Sequence, residues 1–325
     1  MGSAHARAIA GAPGGELAAI YLRDPSRVGE PPRGNLDAGG GELDLTGVRV
    51  TGRLEDIFRD GSIDAVSVCL PTHLHAETAI AALRAGKHVL VEKPMALDAR
   101  EAAAMIAAAK ECHRVFMVAH VLRFFPAYAA LREAMARGDM GALCALALRR
   151  RCAAPAWSGW FGDTAKSGGA TLDLLIHDID MALSLCGAPD TVSATGYDSM
   201  DRGIDLMRAQ LQYRHGPAVS VEGGWHLPGS YPFVMAYTAV FDDGVMEYHS
   251  AGETVAIHKR GAEPEKLSLP KNDAYSEEIR YFLARCADGK TPEKCKPEES
   301  LRALKVALLL VESRSRKGEK IECRV

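Results

Sequence analysis

The first 120 residues alternate short, mainly apolar runs with amphipathic ones. "ELAAIYL" (16–22), "SIDAVSVCL" (62–70), "KHVLVE" (87–92) and "RVFMVAH" (114–120) read as buried strands. Between them, "HAETAIAALRAG" (75–86) predicts a helix closed by Gly86. A second helix is predicted by "LDAREAAAMIAAAKE" (97–111), where Asp98 and Glu101 stand in capping-box spacing. At the start, Gly2-Ser3 predicts a further short helix, with Ser3 as its cap and Ala4, Ala6 and Ile9 on its apolar side. Short apolar strands joined by helices imply a parallel sheet covered on both faces. The stretch 26–47, rich in Gly and Pro, reads as a loop.

Beyond residue 123 the pattern changes. A helix over 127–137 is followed by "ALCALALRRR" (142–151), a Trp-containing loop and a helix over 170–186. Strands are then expected in close succession at 191–197, 204–214, 217–225, 233–241 and 244–249. Strands without intervening helices argue for a mostly antiparallel sheet, and "DDG" (242–244) marks a hairpin within it. Helices over 275–287 and 298–315 end the chain. The expected architecture is an α/β domain over 1–122 and an α+β domain over 123–325. A chain of 325 residues has room for two such cores, at about 100–200 residues each.

Composition narrows the function classes. The net charge of −3 gives no reason to expect nucleic acid or an anionic membrane surface as partner. No apolar run approaches the roughly 18 residues that span a bilayer, and the N-terminus lacks a charged-then-apolar signal pattern. The cysteines (69, 112, 144, 152, 186, 286, 295 and 323) are scattered without a C-x-x-C pair. They read as reduced thiols of a cytoplasmic protein, and no metal site is expected.

Three segments could carry chemistry. In "VCLPTHLHAETA" a strand ends at Leu70, and Pro71, Thr72, His73, Leu74 and His75 lead into a helix. Ligands of open parallel sheets bind beyond such strand ends, where a helix N-terminus offers free N–H groups to phosphate. The plain alternative is an ordinary strand-to-helix turn. In "HVLVEKPMAL", Glu92-Lys93-Pro94 follow a buried strand, again at its carboxyl end. A lysine so placed could stabilise an alkoxide, or could be a solvent-facing residue at the rim of the sheet. The third segment, "SGGATLDLLIHDIDMALSLCG", is the strongest. On a helix, Asp173, His177, Asp180 and Ser184 form one polar stripe among leucines and isoleucines, interrupted only by Asp178. The stripe should face a cavity or an internal partner. An Asp and a His one turn apart suit general-base work, but a structural Asp–His pair or a solvent stripe fits the same spacing. Upstream, Trp157 and Trp160 in "APAWSGWFGD" could stack on a sugar ring or simply pack.

Taken in order, "MGSAHA", "PTHLH", "EKP", "RFFP" (123–126) and "GGATLDLLIHDID" resemble the Gfo/Idh/MocA family of NAD(P)-dependent oxidoreductases over essentially the whole chain. The resemblance implies a Rossmann domain followed by an α/β domain with an open-faced sheet that often mediates homodimers or homotetramers. It implies that Lys93 contacts substrate and nicotinamide ribose, and that Asp173 and His177 complete the catalytic set, with His177 as proton acceptor. Gly2, Ser3, Arg23, Leu70, Pro71, Thr72, His75 and Glu92 would line NAD or NADP. Arg123, Trp157 and Trp160 would meet the substrate. The implied reaction is hydride transfer between a nicotinamide and a secondary alcohol of a sugar, inositol or related polyol. A non-catalytic cofactor- or sugar-sensing regulator, and NAD-assisted glycoside cleavage, are the competing readings that the family allows.

Three departures from the family pattern stand out. Of the G-x-G-x-x-G fingerprint only the last glycine, Gly2, is present, so about ten residues, including the central strand of the sheet, are expected upstream of Met1. The alternative is a chain that binds dinucleotide poorly or not at all. At the end of the second strand, Leu22 occupies the place of the acidic ribose ligand, beside Arg23 and two residues before Asp24; the arginine tilts the expectation towards NADP, whereas Asp24 swinging in would favour NAD. Finally, His120 stands where many relatives have Asn.

Overall fold

The computed structural model describes residues 1–30, 43–156, 159–252 and 254–325. Most of the expected 26–47 loop, and Trp157, lie outside the described residues. In chain order the elements are α1 (Gly2–Ala10), β1 (Ala19–Tyr21), β2 (Arg49–Thr51), α2 (Leu54–Phe58), β3 (Ala65–Val68), α3 (His75–Arg84), β4 (His88–Glu92), α4 (Ala99–Glu111) and β5 (Phe116–Ala119). They continue with α5 (Pro126–Arg137), β6 (Leu143–Cys152), α6 (Thr164–Ser167), α7 (Ile176–Cys186), β7 (Thr191–Ser199), β8 (Ile204–Gln212), β9 (Ala218–Trp225) and β10 (Val234–Phe241). Last come β11 (Gly244–His249), β12 (Thr254–Lys259), β13 (Glu265–Ser268), α8 (Ala274–Asp288), α9 (Pro297–Ser315) and β14 (Ile321–Glu322).

Residues 1–119 with 273–298 form one compact unit, and 120–272 with 299–325 form the other. The single boundary expected at residue 122 therefore misses a return of the chain. Helix α8 packs on α1 in the first unit and buries Ala274, Glu278, Ile279 and Phe282. That docking is invisible in sequence, because an amphipathic helix does not say which core it covers.

In the first unit the strands are parallel, as their apolar runs require. Strands β3, β4 and β5 pair in that order, with Val66 opposite Val89 and Leu90 opposite Met117. Strands β1 and β2 pair separately, so among the described residues the parallel strands form two sheets rather than the single one expected. Strand β5 is buried throughout and β4 nearly so, while β1 and most of β3 are half-buried. The predicted cap of α4 is formed: Asp98 accepts the N–H groups of Arg100 and Glu101, each at 2.8 Å. Ser3 does not cap α1. The Met1 carbonyl accepts the N–H groups of Ala4 and His5 at 2.8 and 3.1 Å, so the helix begins at Gly2 and Ser3 lies inside its first turn.

The second unit is built on a nine-stranded sheet in the order β13-β12-β11-β10-β6-β9-β8-β7-β14. Every pairing is antiparallel except β6 with β9. The parallel pair brings two backbones close at Gly223, which sits opposite Arg150 at a φ of +155°. A Cβ at Gly223 would drive into the Arg150 carbonyl oxygen. Replacing Gly223 with alanine is expected to cost about 3 kcal/mol or more, as strained backbone and steric intrusion combine. A lowered urea midpoint would register this; an unchanged midpoint would mean that β6 and β9 pair less closely.

Candidate active site

The first unit supplies two loops at the carboxyl ends of neighbouring parallel strands. After β3 the chain passes through half-buried Leu70 and Pro71 into a short turn over Thr72–Leu74 and then α3. After β4 it passes through Lys93 and a cis Lys93–Pro94 peptide. His75 ties the two together. Its ring is 1% exposed, with Nε2 at 2.8 Å from the Leu70 carbonyl oxygen and Nδ1 at 2.9 Å from that of Pro94. Burial is the largest influence on this ring and pushes its pKa below the usual histidine value, so the neutral ring donates to one of the two carbonyls. His75, expected to line the cofactor, is turned inward as a clamp.

Glu92 is turned inward as well. One carboxylate oxygen lies 2.9 Å from His5 Nε2, and the other accepts the Lys93 N–H at 3.1 Å. Burial works against its ionisation, but the adjacent His5 prevails and holds its pKa at about 2. Lys93 is half-buried, Ser3 is half-buried and Gly2 is exposed. A Cβ on Gly2 would stand 3.8 Å from that of Cys69, which places the start of α1 beside the end of β3. The start of α1 and the turns after β3 and β4 thus gather where open parallel sheets bind dinucleotides, and the donors and the cation present fit such a ligand. Arg23, just beyond β1, is exposed. The Asp24 carboxylate accepts from the Ser26 N–H and hydroxyl at 3.1 and 2.6 Å.

The second unit supplies the Asp–His pair. One regular helix over 170–186 was expected; instead Thr171–Leu175 forms a wider i→i+5 turn and the α-helix begins at Ile176. Such turns accommodate an extra residue and recur at functional sites. The turn is launched by Gly168 and Gly169, both at positive φ (+74° and +71°). A Cβ on Gly169 would stand 2.6 Å from the Asp205 carboxylate, which accepts the Ala170 N–H at 2.7 Å. From Thr171 to Leu183, every residue is buried except Asp173 and His177.

The remaining acids of this segment are structural. Asp178, the polar interruption of the apolar surface, is fully buried against Arg150, with Nε to Oδ2 at 2.6 Å. Asp180 meets Arg123 in a two-pronged pair, both distances 2.7 Å. Burial opposes its charge, but Arg123 and then His120, whose Nδ1 is 3.6 Å away, hold its pKa below the ordinary carboxylate range. Ser184, the last member of the expected stripe, donates to the Met181 carbonyl at 2.8 Å. Arg123 is 3% exposed and also meets Glu299 at 2.6 Å, so its guanidinium braces the helix rather than a substrate. Trp160 is half-buried and stacks on Phe161, with centroids 4.0 Å apart; Phe161 in turn meets Trp225 edge-on.

Sequence reasoning missed the pairing of His5 with Glu92 and of Arg150 with Asp178, which join residues distant in the chain. It also passed over Glu278, although Ala274, Glu278 and Phe282 at i, i+4 and i+8 place a carboxyl on the buried face of α8.

A parallel-sheet unit with ligand loops at its strand ends, followed by a mostly antiparallel unit that carries an Asp–His pair, defines a two-unit dinucleotide-dependent oxidoreductase. Residues 1–120 match the oxidoreductase family described by its NAD-binding Rossmann fold, and residues 128–247 match the GFO/IDH/MocA C-terminal domain. The chain belongs to the Gfo/Idh/MocA family. It is 31% identical over 256 residues to UDP-N-acetylglucosamine 3-dehydrogenase of Acidithiobacillus ferrooxidans, covering 76% of this chain and 77% of that protein. It is 28% identical over 306 residues to D-xylose 1-dehydrogenase (NADP(+)) 2 of Haloferax volcanii, covering 92% and 89%. Levoglucosan dehydrogenase in complex with NADH superposes with a TM-score of 0.85 at 22% identity, covering 99% of this chain and 96% of the other. Among the described residues no helix is long and apolar enough to cross a membrane.

Removing one partner of a buried ion pair strands the other charge, at a cost of about 3–5 kcal/mol. Arg123→Ala is therefore expected to lower stability in urea by that order. Arg123→Lys should recover only part, because an ammonium cannot span both oxygens of Asp180. A fully stable Arg123→Ala variant would show that the pair is not what braces α7.

Proposed function

We propose that this chain is an NADP-preferring dehydrogenase or reductase of a sugar, inositol or related polyol, with Lys93, Asp173 and His177 as its catalytic residues. The observation that carries the assignment is the burial of Thr171–Leu183 at every position but Asp173 and His177. A helix so enclosed, in an oxidoreductase of this family, keeps two polar side chains accessible where chemistry needs them. His177 takes the hydroxyl proton as the alcohol is oxidised, and Asp173 orients the imidazole or the substrate hydroxyl. The ammonium of Lys93 stabilises the oxygen as negative charge develops on it. Pro71, Thr72 and Lys93, with Gly2 and Ser3 at the start of α1, hold the dinucleotide. When bound, its nicotinamide supplies the hydride acceptor or donor. Trp160 offers an aromatic face for a sugar ring.

The preference for NADP is supported by the strand end after β1. Arg23 is exposed there, and the neighbouring Asp24 is occupied by Ser26 rather than free for a ribose hydroxyl. The eight cysteines are all free thiols, which suits a reducing cytoplasmic setting. The wide antiparallel sheet gives a homodimer or homotetramer a face on which to assemble.

Two measurements test this reading. Titration with NADPH and NADH, followed by nicotinamide fluorescence, is expected to show tighter binding of NADPH, with Arg23→Ala narrowing the difference; tighter NADH binding would reverse the preference. With a sugar or inositol that supports turnover, Lys93→Ala and His177→Ala are each expected to lower kcat by a factor of about 100 or more, with melting temperatures near that of the parent. Full activity in both variants would overturn the assigned roles.

A further inference from the structure

Beneath the lysine-bearing turn of the first unit lies a buried polar cluster that the proposed chemistry does not use. His5 on α1 is 1% exposed. Its Nε2 lies 2.9 Å from one Glu92 oxygen and its Nδ1 lies 2.7 Å from Ser67 Oγ, which is in turn 3.7 Å from Cys69 Sγ. The second Glu92 oxygen accepts the main-chain N–H of Lys93. Glu278, on α8, is fully buried and close enough to interact electrostatically with His5, Glu92 and Cys69. Among the described residues, neither of its carboxyl oxygens has a hydrogen-bond partner. Lys294 acts on Glu278 from the turn after α8, and the Lys93 charge acts on Glu92. Three elements that are far apart in sequence therefore converge on the residue before Lys93.

We propose that His5 is a positioning residue for Lys93: its ring stands 2.9 Å from Glu92 as that carboxylate's counter-charge, Glu92 receives the Lys93 main-chain N–H, and α1 and the lysine-bearing turn are thereby held as one piece. The inference rests on the reading of Lys93 as a residue that meets substrate. The charges support it. Two carboxyl groups stand around one imidazole in a largely enclosed site, where burial penalises each charge that lacks a close counter-charge. Burial raises the Glu278 pKa well above the usual value, so Glu278 is the neutral acid. Burial also opposes the His5 cation, but Cys69 and Glu92 outweigh it and raise its pKa well above the ordinary histidine value. His5 and Glu92 are thus the ion pair, and Glu278 is the uncharged bystander that leaves the pair intact. An imidazolium paired with a carboxylate fixes the direction of the Glu92 side chain. It does so at the point where an ångström of movement in Lys93 would matter to a developing alkoxide.

The test compares the full chain with its His5→Ala, His5→Gln, Glu92→Gln and Glu278→Gln variants, using three readouts. The first is the side-chain nitrogen spectrum of 15N-histidine-labelled protein across a pH series. His5 is expected to keep its imidazolium signature through neutral pH in the parent and in Glu278→Gln, and to lose it in Glu92→Gln. The second is the rate at which the Lys93 amine is reductively methylated, read by peptide mass spectrometry. It should change in His5→Ala and Glu92→Gln and stay at the parent value in Glu278→Gln. The third is turnover: kcat is expected to fall about 10- to 100-fold in His5→Ala and Glu92→Gln, with KM and dinucleotide Kd within about 3-fold of the parent. His5→Gln, which keeps a polar side chain of similar reach between Ser67 and Glu92, should recover part of the loss, and it keeps the test decisive if His5→Ala does not fold. A folded His5→Ala or His5→Gln protein with parental kcat and parental Lys93 reactivity would overturn the proposal. So would a Glu278→Gln protein that behaves like Glu92→Gln. A parent inactive on every sugar alcohol tried would defeat the functional reading alone, because the histidine spectra and the Lys93 labelling judge the positioning without turnover.

Discussion

Pairing of buried charge organises the site-bearing segment of the second unit. Helix α7 and the turn before it are enclosed on nearly every side, yet they carry Asp173, His177, Asp178 and Asp180 within eight residues. Carboxylates cannot be enclosed without partners. Asp178 takes Arg150 from β6, and Asp180 takes Arg123 from the turn before α5. These two pairs pin the helix to the sheet on one side and to the preceding segment on the other. Asp173 and His177 are the two half-buried positions in this otherwise enclosed run. The wider turn over Thr171–Leu175, with the glycines that launch it, then sets how those side chains are presented.

The first unit solves a different problem with the same means. Loops at strand ends are the flexible part of an α/β unit, and ligand recognition needs them fixed. Here the fixing is done by buried side chains that reach the main chain rather than by packing alone. His75 spans the carbonyls of Leu70 and Pro94, and Glu92 receives the N–H of Lys93. Side chains that a motif reading assigns to the ligand thus act one step behind it. In "PTHLH" and "EKP", His75 and Glu92 hold the main chain of the two turns in place.

The sequence determined a good deal by itself. Period-2 and period-3.6 hydrophobic patterns, with Gly86 and Asp98 as stop and start signals, located the strands and helices of the first unit, because backbone geometry ties side-chain direction to sequence spacing. The change to closely spaced strands after residue 190 marked the antiparallel sheet. The ordered motifs marked the family, and the polar positions 173 and 177 in an apolar helix marked the two places where that segment is not fully buried. Short elements such as β2 and α2 escaped, since three to five residues carry too little periodicity.

Tertiary structure alone decided the rest, and the reason is sequence separation. Nothing local tells Asp180 that its partner lies 57 residues back at Arg123, or Asp178 that Arg150 lies 28 residues back. For that reason the resemblance alone points Arg123 at a substrate, whereas its guanidinium is filled by two carboxylates. The same holds for α8, whose amphipathic pattern was plain but whose docking on α1, and with it the burial of Glu278 beside His5 and Glu92, depends on a chain that leaves the first unit at residue 119 and returns at 273. Local physics fixes which side chains point inward; only the folded chain decides what they meet there.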